Sequence, residues 1–265
     1  MGRSSPEEGR TEGQTDSVSG RPTTPQRERE ARAALAAGAR RLGLSLTPIQ
    51  QQRFERYATL LREGKRSVSL TSLVDPVDVA LKHVLDSLSL LLVLPTGPCR
   101  LIDVGTGAGF PGVPLAVVRP EIDALLVEAT ARKADWVAQT VDRLGIAGVR
   151  VLAARAEDVA HEARLRGAFD VAVARAVAPL AVLCELCLPF VRAGGRFIAQ
   201  KSARGAEVEV PAAAHALDVL GGRLVEVRPV DLPELPNRVL VVVEQLRPVP
   251  PTYPRRAGMP AKRPL

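Results

Sequence analysis

A chain of 265 residues can bury one good core of about 200 residues, with room for an extra helical segment. No apolar run reaches the roughly 18 residues that a membrane span needs, and the N-terminus lacks a signal-peptide core, so a cytoplasmic protein with no membrane partner is expected. The net charge of +7 is uneven: residues 1–41 hold eight basic and six acidic side chains, whereas 251–265 hold Arg255, Arg256, Lys262 and Arg263 and no acid. A basic tail on a near-neutral body suits a polyanion such as nucleic acid, although an ordinary solvated tail carries the same charge. Aromatic residues, at 3%, argue against a platform that stacks single-stranded bases.

Residues 1–25, rich in Gly, Ser, Thr, Pro and charge, read as a disordered N-terminal extension. A helix is predicted from Gln26 to Leu42. Thr47-Pro48 supplies an N-cap and an N1 proline for a second helix reaching Glu63. Asp75-Pro76 repeats that start signal for a third, through His83 and Asp86 to Leu92. Residues 26–94 thus form an N-terminal helical cap. From Arg100 the pattern alternates. Strands are predicted near 100–104, 123–128, 149–153, 169–174 and 195–200, and helices near 112–119, 131–144, 178–191 and 205–220. Two further strands, 222–231 and 238–246, close a domain spanning 95–250 as a hairpin that adds one antiparallel strand, and 251–265 remains as the basic tail. Such alternation implies right-handed βαβ units. The fold class is α/β: a doubly wound, mostly parallel seven-stranded sheet of the Rossmann-like methyltransferase type.

The richest local signal is LIDVGTGAGFPG at 101–112, a strand running through Asp103 into a turn with Gly105, Gly107, Gly109 and Gly112. A parallel strand ending in a glycine turn marks a nucleotide-like binding crevice. The motif alone leaves open a methyl donor, a dinucleotide (Gly107 to Gly112 also satisfies G-x-G-x-x-G) or no ligand. Two details favour S-adenosylmethionine. Asp103 stands where a carboxylate can face the positively charged methionine end. Pro111, at the expected first helical position, removes an amide that a pyrophosphate would want. Glu128 ends the next strand, about twenty residues on, where a carboxylate accepts from both ribose hydroxyls. The closing hairpin also suits a methyltransferase better than a dehydrogenase, which needs a second mononucleotide half. Cys184 and Cys187 form a C-x-x-C inside an apolar helical run with no second ligand pair, so they read as core residues and no metal is expected.

Motifs spread along the chain resemble a known family. LTSL at 70–73, KHVLDSLSL at 82–90, DVGTGAGFPGVPLA at 103–116, VEATARKADWV at 127–137, ARAEDVA at 154–160, ARAVAPL at 174–180 and YPRRAGMPAKRPL at 253–265 all resemble the RsmG (GidB) family. The resemblance covers about 30–265. It departs at Ser69, where the family commonly has Asn, and at Lys201-Ser202, where it commonly has Lys-Gly. The family's activity implies methyl transfer from S-adenosylmethionine to N7 of a guanine in 16S ribosomal RNA, with that RNA or the small subunit as partner. The chain is expected to act as a monomer; no long heptad pattern suggests a coiled-coil dimer. The family's cofactor contacts map onto Gly105, Phe110, Glu128, Ala129, Thr130, Ala156, Glu157 and Arg175, which join Asp103 and Gly107 of the glycine turn. Arg175, after the apolar strand FDVAVA, needs a partner if buried: a cofactor or substrate, or else Glu128 or Asp103. Lys201, Arg204, Arg255 and Arg256 are the implied RNA contacts, with packing of the tail on the domain as the alternative. Guanine N7 carries a lone pair and no proton, so no general base, metal or nucleophile is assigned. His83, Arg175 and Lys201 are the candidates for a catalytic part, with His83 read as orienting Asp86 or the RNA.

Overall fold

The computed structural model describes residues 24–64 and 68–265. Residues 1–23, nearly all of the expected disordered extension, lie outside the described residues, while Thr24 and Pro25 already belong to a helix. Seven strands form one sheet: β1 (Cys99–Val104), β2 (Ile122–Glu128), β3 (Val149–Ala153), β4 (Phe169–Arg175), β5 (Val191–Ser202), β6 (Gly222–Pro229) and β7 (Arg238–Gln245). Their order is β3-β2-β1-β4-β5-β7-β6. The first five pair in parallel and β7 runs antiparallel to both β5 and β6, which is the expected doubly wound arrangement with its closing hairpin. The chain winds outward from β1 to β3, then resumes on the other side of β1 with β4. That reversal opens a crevice beyond the C-terminal ends of β1 and β4.

Side chains alternate across the sheet. Leu101, Leu126 and Val173 face one layer, and Ile102, Leu125 and Ala172 face the other. The first layer holds α1 (Thr24–Arg41), α2 (Pro48–Gly64), α5 (Gly112–Val118) and α6 (Ala131–Leu144). Leu35, Phe54 and Leu60 thereby share one core with the strands, and the cap is continuous with the sheet. The second layer holds α7 (Ala156–Val159), α8 (Leu180–Cys187), α9 (Ala203–Ala212) and α10 (Ala214–Leu220). Cys184 and Cys187 lie buried in α8, where burial pushes the Cys184 thiol up to about 12. Thr47 caps α2 reciprocally with Gln50: its hydroxyl accepts from the Gln50 amide (3.3 Å) and its own amide donates to Gln50 Oε1 (2.9 Å).

Three predicted helices are interrupted. The third runs as α3 (Pro76–Asp78), a π-helical stretch Val79–Leu85, α4 (Asp86–Leu88) and a 3₁₀ turn Ser89–Leu92. Its start is as expected: Asp75 Oδ1 accepts from the amides of Val77 (3.0 Å) and Asp78 (3.3 Å). The 178–191 helix gives way after Cys187 to a 3₁₀ turn containing Pro189. The 205–220 helix divides just after Pro211, which has no N–H to donate. Strand β5 outruns 195–200 because β4 and β7 offer pairing partners from Val191 to Ser202. The tail carries its own short helix, α11 (Met259–Lys262). No described helix is long and apolar enough to cross a membrane.

Candidate active site

The crevice beyond β1 and β4 is an open cleft of about 990 Å³. Its floor is the glycine turn. Gly105 takes a φ of 74°, open to glycine without strain, and its amide donates to Val127 O (2.9 Å). Gly112 meets a different demand: a Cβ there would lie 2.2 Å from Leu126 Cδ2, so only glycine lets α5 start this close to β2. Pro111 is the N-cap and not the first helical residue; Gly112 takes that place.

Asp103 corrects the sequence reading. It is fully buried behind the turn and does not line the cleft. Its Oδ2 accepts from Thr106 Oγ1 (2.6 Å) and from the Gly112 amide (2.8 Å), locking the turn to the start of α5. Oδ1 is buried without a partner, and burial pushes the carboxyl up to about 6.

Glu128 does line the cleft, with Ala129 beside it. Its two oxygens accept from the Gly107 amide (3.0 Å) and the Thr130 amide (2.8 Å), each keeping a free lone pair. Gly107 lines the cleft; Thr130 serves through its amide alone. Ala156 and Glu157 stand apart from the lining, and Glu157 Oε1 accepts from Gly258 N (2.9 Å), binding the tail.

Next to the turn lies a cluster from four elements. Phe110 stacks on His83 (centroids 4.7 Å apart) and on Tyr57 (5.0 Å), and the Arg175 guanidinium lies 5.1 Å from its ring centre. Tyr57 donates its hydroxyl to Ala108 O, joining α2 to the glycine turn. The partner of Arg175 is neither Glu128 nor Asp103. It is Asp86, fully buried in α4, at 3.0 Å. The same carboxylate pairs with Arg238 of β7 at 2.7 Å, while Gln200 donates to the Asp86 carbonyl (2.7 Å). Cross-strand register assembles this group: Arg175 is opposite Gln200, and Arg238 opposite Ser202.

Of the two expected partners of His83, Asp86 or the RNA, Asp86 is not in contact with it: the ring meets Arg175 and Thr71. Burial and the Arg175 charge lower its pKa to about 4, so it is neutral near pH 7. Arginine can only donate, so Nδ1 accepts from Arg175 (3.2 Å) and the Nε2 proton faces Thr71 Oγ1 (3.0 Å). Both ring nitrogens are occupied.

Lys201 reaches the cleft but is already engaged. Its Nζ donates to Ala178 O (2.7 Å) and pairs with Glu209 (2.7 Å). Arg204 and Arg256 are exposed. Arg255 is not a free phosphate contact: it grips the buried carboxylate of Glu185 (2.6 Å), and the tail around it is strapped down. His161 meets Pro254 O (2.9 Å), and Arg166 donates to Tyr253 O (2.9 Å) and Pro250 O (2.9 Å). Deleting residues 251–265 therefore strands Glu185 as an unpaired buried charge and is expected to lower the melting temperature by roughly 10 °C. A truncated protein melting with the full chain would contradict this.

The cleft thus unites Gly105, Gly107, Phe110, Glu128, Ala129, Arg175, His83 and Lys201. Sequence reasoning missed Tyr57, Thr71, Gln200 and Arg238, and had Asp86 only as a possible partner of His83. Nothing local marks Arg238, which reaches Asp86 across 152 residues.

Comparison with known proteins bears on this cleft. The family model described as rRNA small subunit methyltransferase G (GidB) matches residues 50–233. A protein of Roseiflexus sp. (strain RS-1) named ribosomal RNA small subunit methyltransferase G is 43% identical over 227 residues, covering 86% of this chain and 97% of its own. A protein of the same name from Deinococcus radiodurans is 43% identical over 236 residues, covering 88% and 92%. The chain belongs to the rRNA small subunit methyltransferase G (GidB) family.

Proposed function

We propose that this methyltransferase takes the methyl group of S-adenosylmethionine and places it on N7 of a guanine in 16S ribosomal RNA, working in the cytoplasm on the RNA or the small subunit. The observation that carries the reading is that Glu128, the glycine turn and the Arg175 and Arg238 guanidinium groups line one open cleft. The residues fit the donor: Gly105 lines the cleft where a Cβ would meet Val177 Cγ2 at 2.7 Å, and Glu128 keeps a lone pair on each oxygen for ribose hydroxyls. When bound, S-adenosylmethionine supplies an electrophilic methyl group on a sulfonium.

The protein's share is to hold and orient. Guanine N7 offers a lone pair and loses no proton, which agrees with a neutral His83 whose nitrogens are both engaged. Rate then comes from alignment of donor and acceptor in a fixed cleft, whose wall the Arg175–Asp86–Arg238 group holds in place. A guanine within folded RNA must be exposed before its N7 can enter. Exposed Arg204 and Arg256 remain available for phosphates.

Removing the ribose acceptor tests the donor site. Glu128→Ala is expected to weaken S-adenosylmethionine binding about tenfold or more by calorimetry, a charged hydrogen-bonding group being worth roughly 1.5–3 kcal/mol. Unchanged affinity in a folded variant would remove Glu128 from the donor site.

A further inference from the structure

Several apolar side chains line the cleft outside the donor site and the cationic wall, among them Leu70, Leu73, Leu235 and Val177. Val177 is 41% exposed, and among the described residues it is the one large exposed hydrophobic side chain that lines the cleft. An apolar side chain lining a mostly polar cleft offers a contact to the apolar face of a ligand. Its backbone is also unusual. The preceding Ala176 has a φ of 56°, a left-handed conformation that costs a residue with a Cβ about 1–2 kcal/mol. Such strain survives where the surroundings over-determine the conformation, and it gathers at ligand sites.

The surroundings here do over-determine it. Lys201 Nζ donates to Ala178 O at 2.7 Å. Glu209, paired with that same Nζ at 2.7 Å, accepts from the Leu180 amide at 2.7 Å. One ion pair therefore clamps the 176–180 segment at two points, and it explains why Lys201 is nearly buried. On its inner side Val177 borders the glycine turn: a Cβ built on Gly105 would lie 2.7 Å from Val177 Cγ2. The valine thus lines the cleft directly beside the turn.

We propose that residues 176–179 form a preset platform for the target guanine, with Val177 as the specificity-determining contact that packs against the face of the base. Lys201 and Glu209 are positioning residues that hold the platform. A purine face is apolar, and a β-branched side chain presents its two methyls with little rotamer freedom to lose. The platform reading rests on the guanine-methylating function proposed above.

The test measures steady-state methyl transfer to small-subunit ribosomal RNA alongside S-adenosylmethionine affinity by calorimetry, on the same full-length samples. Val177→Ser is expected to raise KM for the RNA about tenfold through the lost apolar contact, while donor affinity stays within about twofold and the melting temperature holds. Val177→Ile should recover most of that loss. Lys201→Gln should lower kcat/KM for RNA with donor affinity retained, because it frees the platform without touching the turn. If Val177→Ser weakens donor binding as much as RNA use, the valine belongs to the donor pocket and the platform is overturned. RNA kinetics equal to wild type overturn it too. Absence of transfer to RNA by the wild-type protein would sink the function reading itself, and the platform with it. Normal wild-type transfer with an indifferent Val177 sinks the platform alone.

Discussion

Gly105→Val is expected to abolish S-adenosylmethionine binding, and with it methyl transfer, in a protein that still folds. Two costs combine. The φ of 74° at this position is open to glycine and forbidding to a β-branched residue. Beyond strain, the first added carbon lies 2.7 Å from Val177 Cγ2, so a valine must displace Val177 or project into the cleft that Gly105 lines. The contrast with Gly107 isolates the second cost. There a Cβ meets nothing nearer than Gly105 O at 4.0 Å, so Gly107→Ala carries strain without a clash and is expected to weaken binding far less. Calorimetry with thermal melts separates lost binding from lost fold. Normal donor affinity in a folded Gly105→Val protein would contradict the placement of the donor on this turn.

The second large effect is on stability. Asp86 is fully buried and is the shared anion of Arg175 at 3.0 Å and Arg238 at 2.7 Å. Asp86→Ala leaves two cations facing each other in a poorly solvated wall. Breaking a buried pair in this way costs about 3–5 kcal/mol, which lowers the melting temperature of a chain this size by roughly 10 °C. Activity should fall as well, because Arg175 is released from its position over Phe110. The pairing itself is read from a double-mutant cycle: in an Arg238→Leu background Asp86→Ala should cost clearly less, since one stranded cation is gone. An Asp86→Ala protein as stable as wild type would show that this carboxylate does not hold the two guanidinium groups.

The features legible in the chain are those written locally. Alternating strand and helix patterns, the glycine turn after β1 and a carboxylate ending β2 all depend on neighbours within about thirty residues, and each is found in place. The parts that were not legible depend on which strands become neighbours. Arg175 visibly needed a partner, but Asp86 lies 89 residues away and reaches it because a π-helical stretch and the β1/β4 reversal bring them together. The π stretch is itself silent in sequence, since its apolar residues keep a helical rhythm. Asp103 was misread for a related reason. Its spacing from the glycines is right for facing a ligand, yet the small Gly112 admits the start of α5 so closely that the carboxylate is spent on that amide. The basic tail shows charge reading at its weakest: Arg255 counts toward a polyanion surface, while a buried Glu185 on α8 claims it. Composition carries no record of such a pairing.

Incubation of the purified protein with S-[methyl-³H]adenosylmethionine and unmodified small-subunit ribosomal RNA, followed by nucleoside analysis and mass mapping of the RNA, tests the central claim most directly. Label is expected in 7-methylguanosine, confined to RNA, absent with Gly105→Val, and unaccompanied by label in added protein or free nucleotides. Label in any other nucleoside, or methyl transfer to protein or to a small molecule in preference to the RNA, would contradict it.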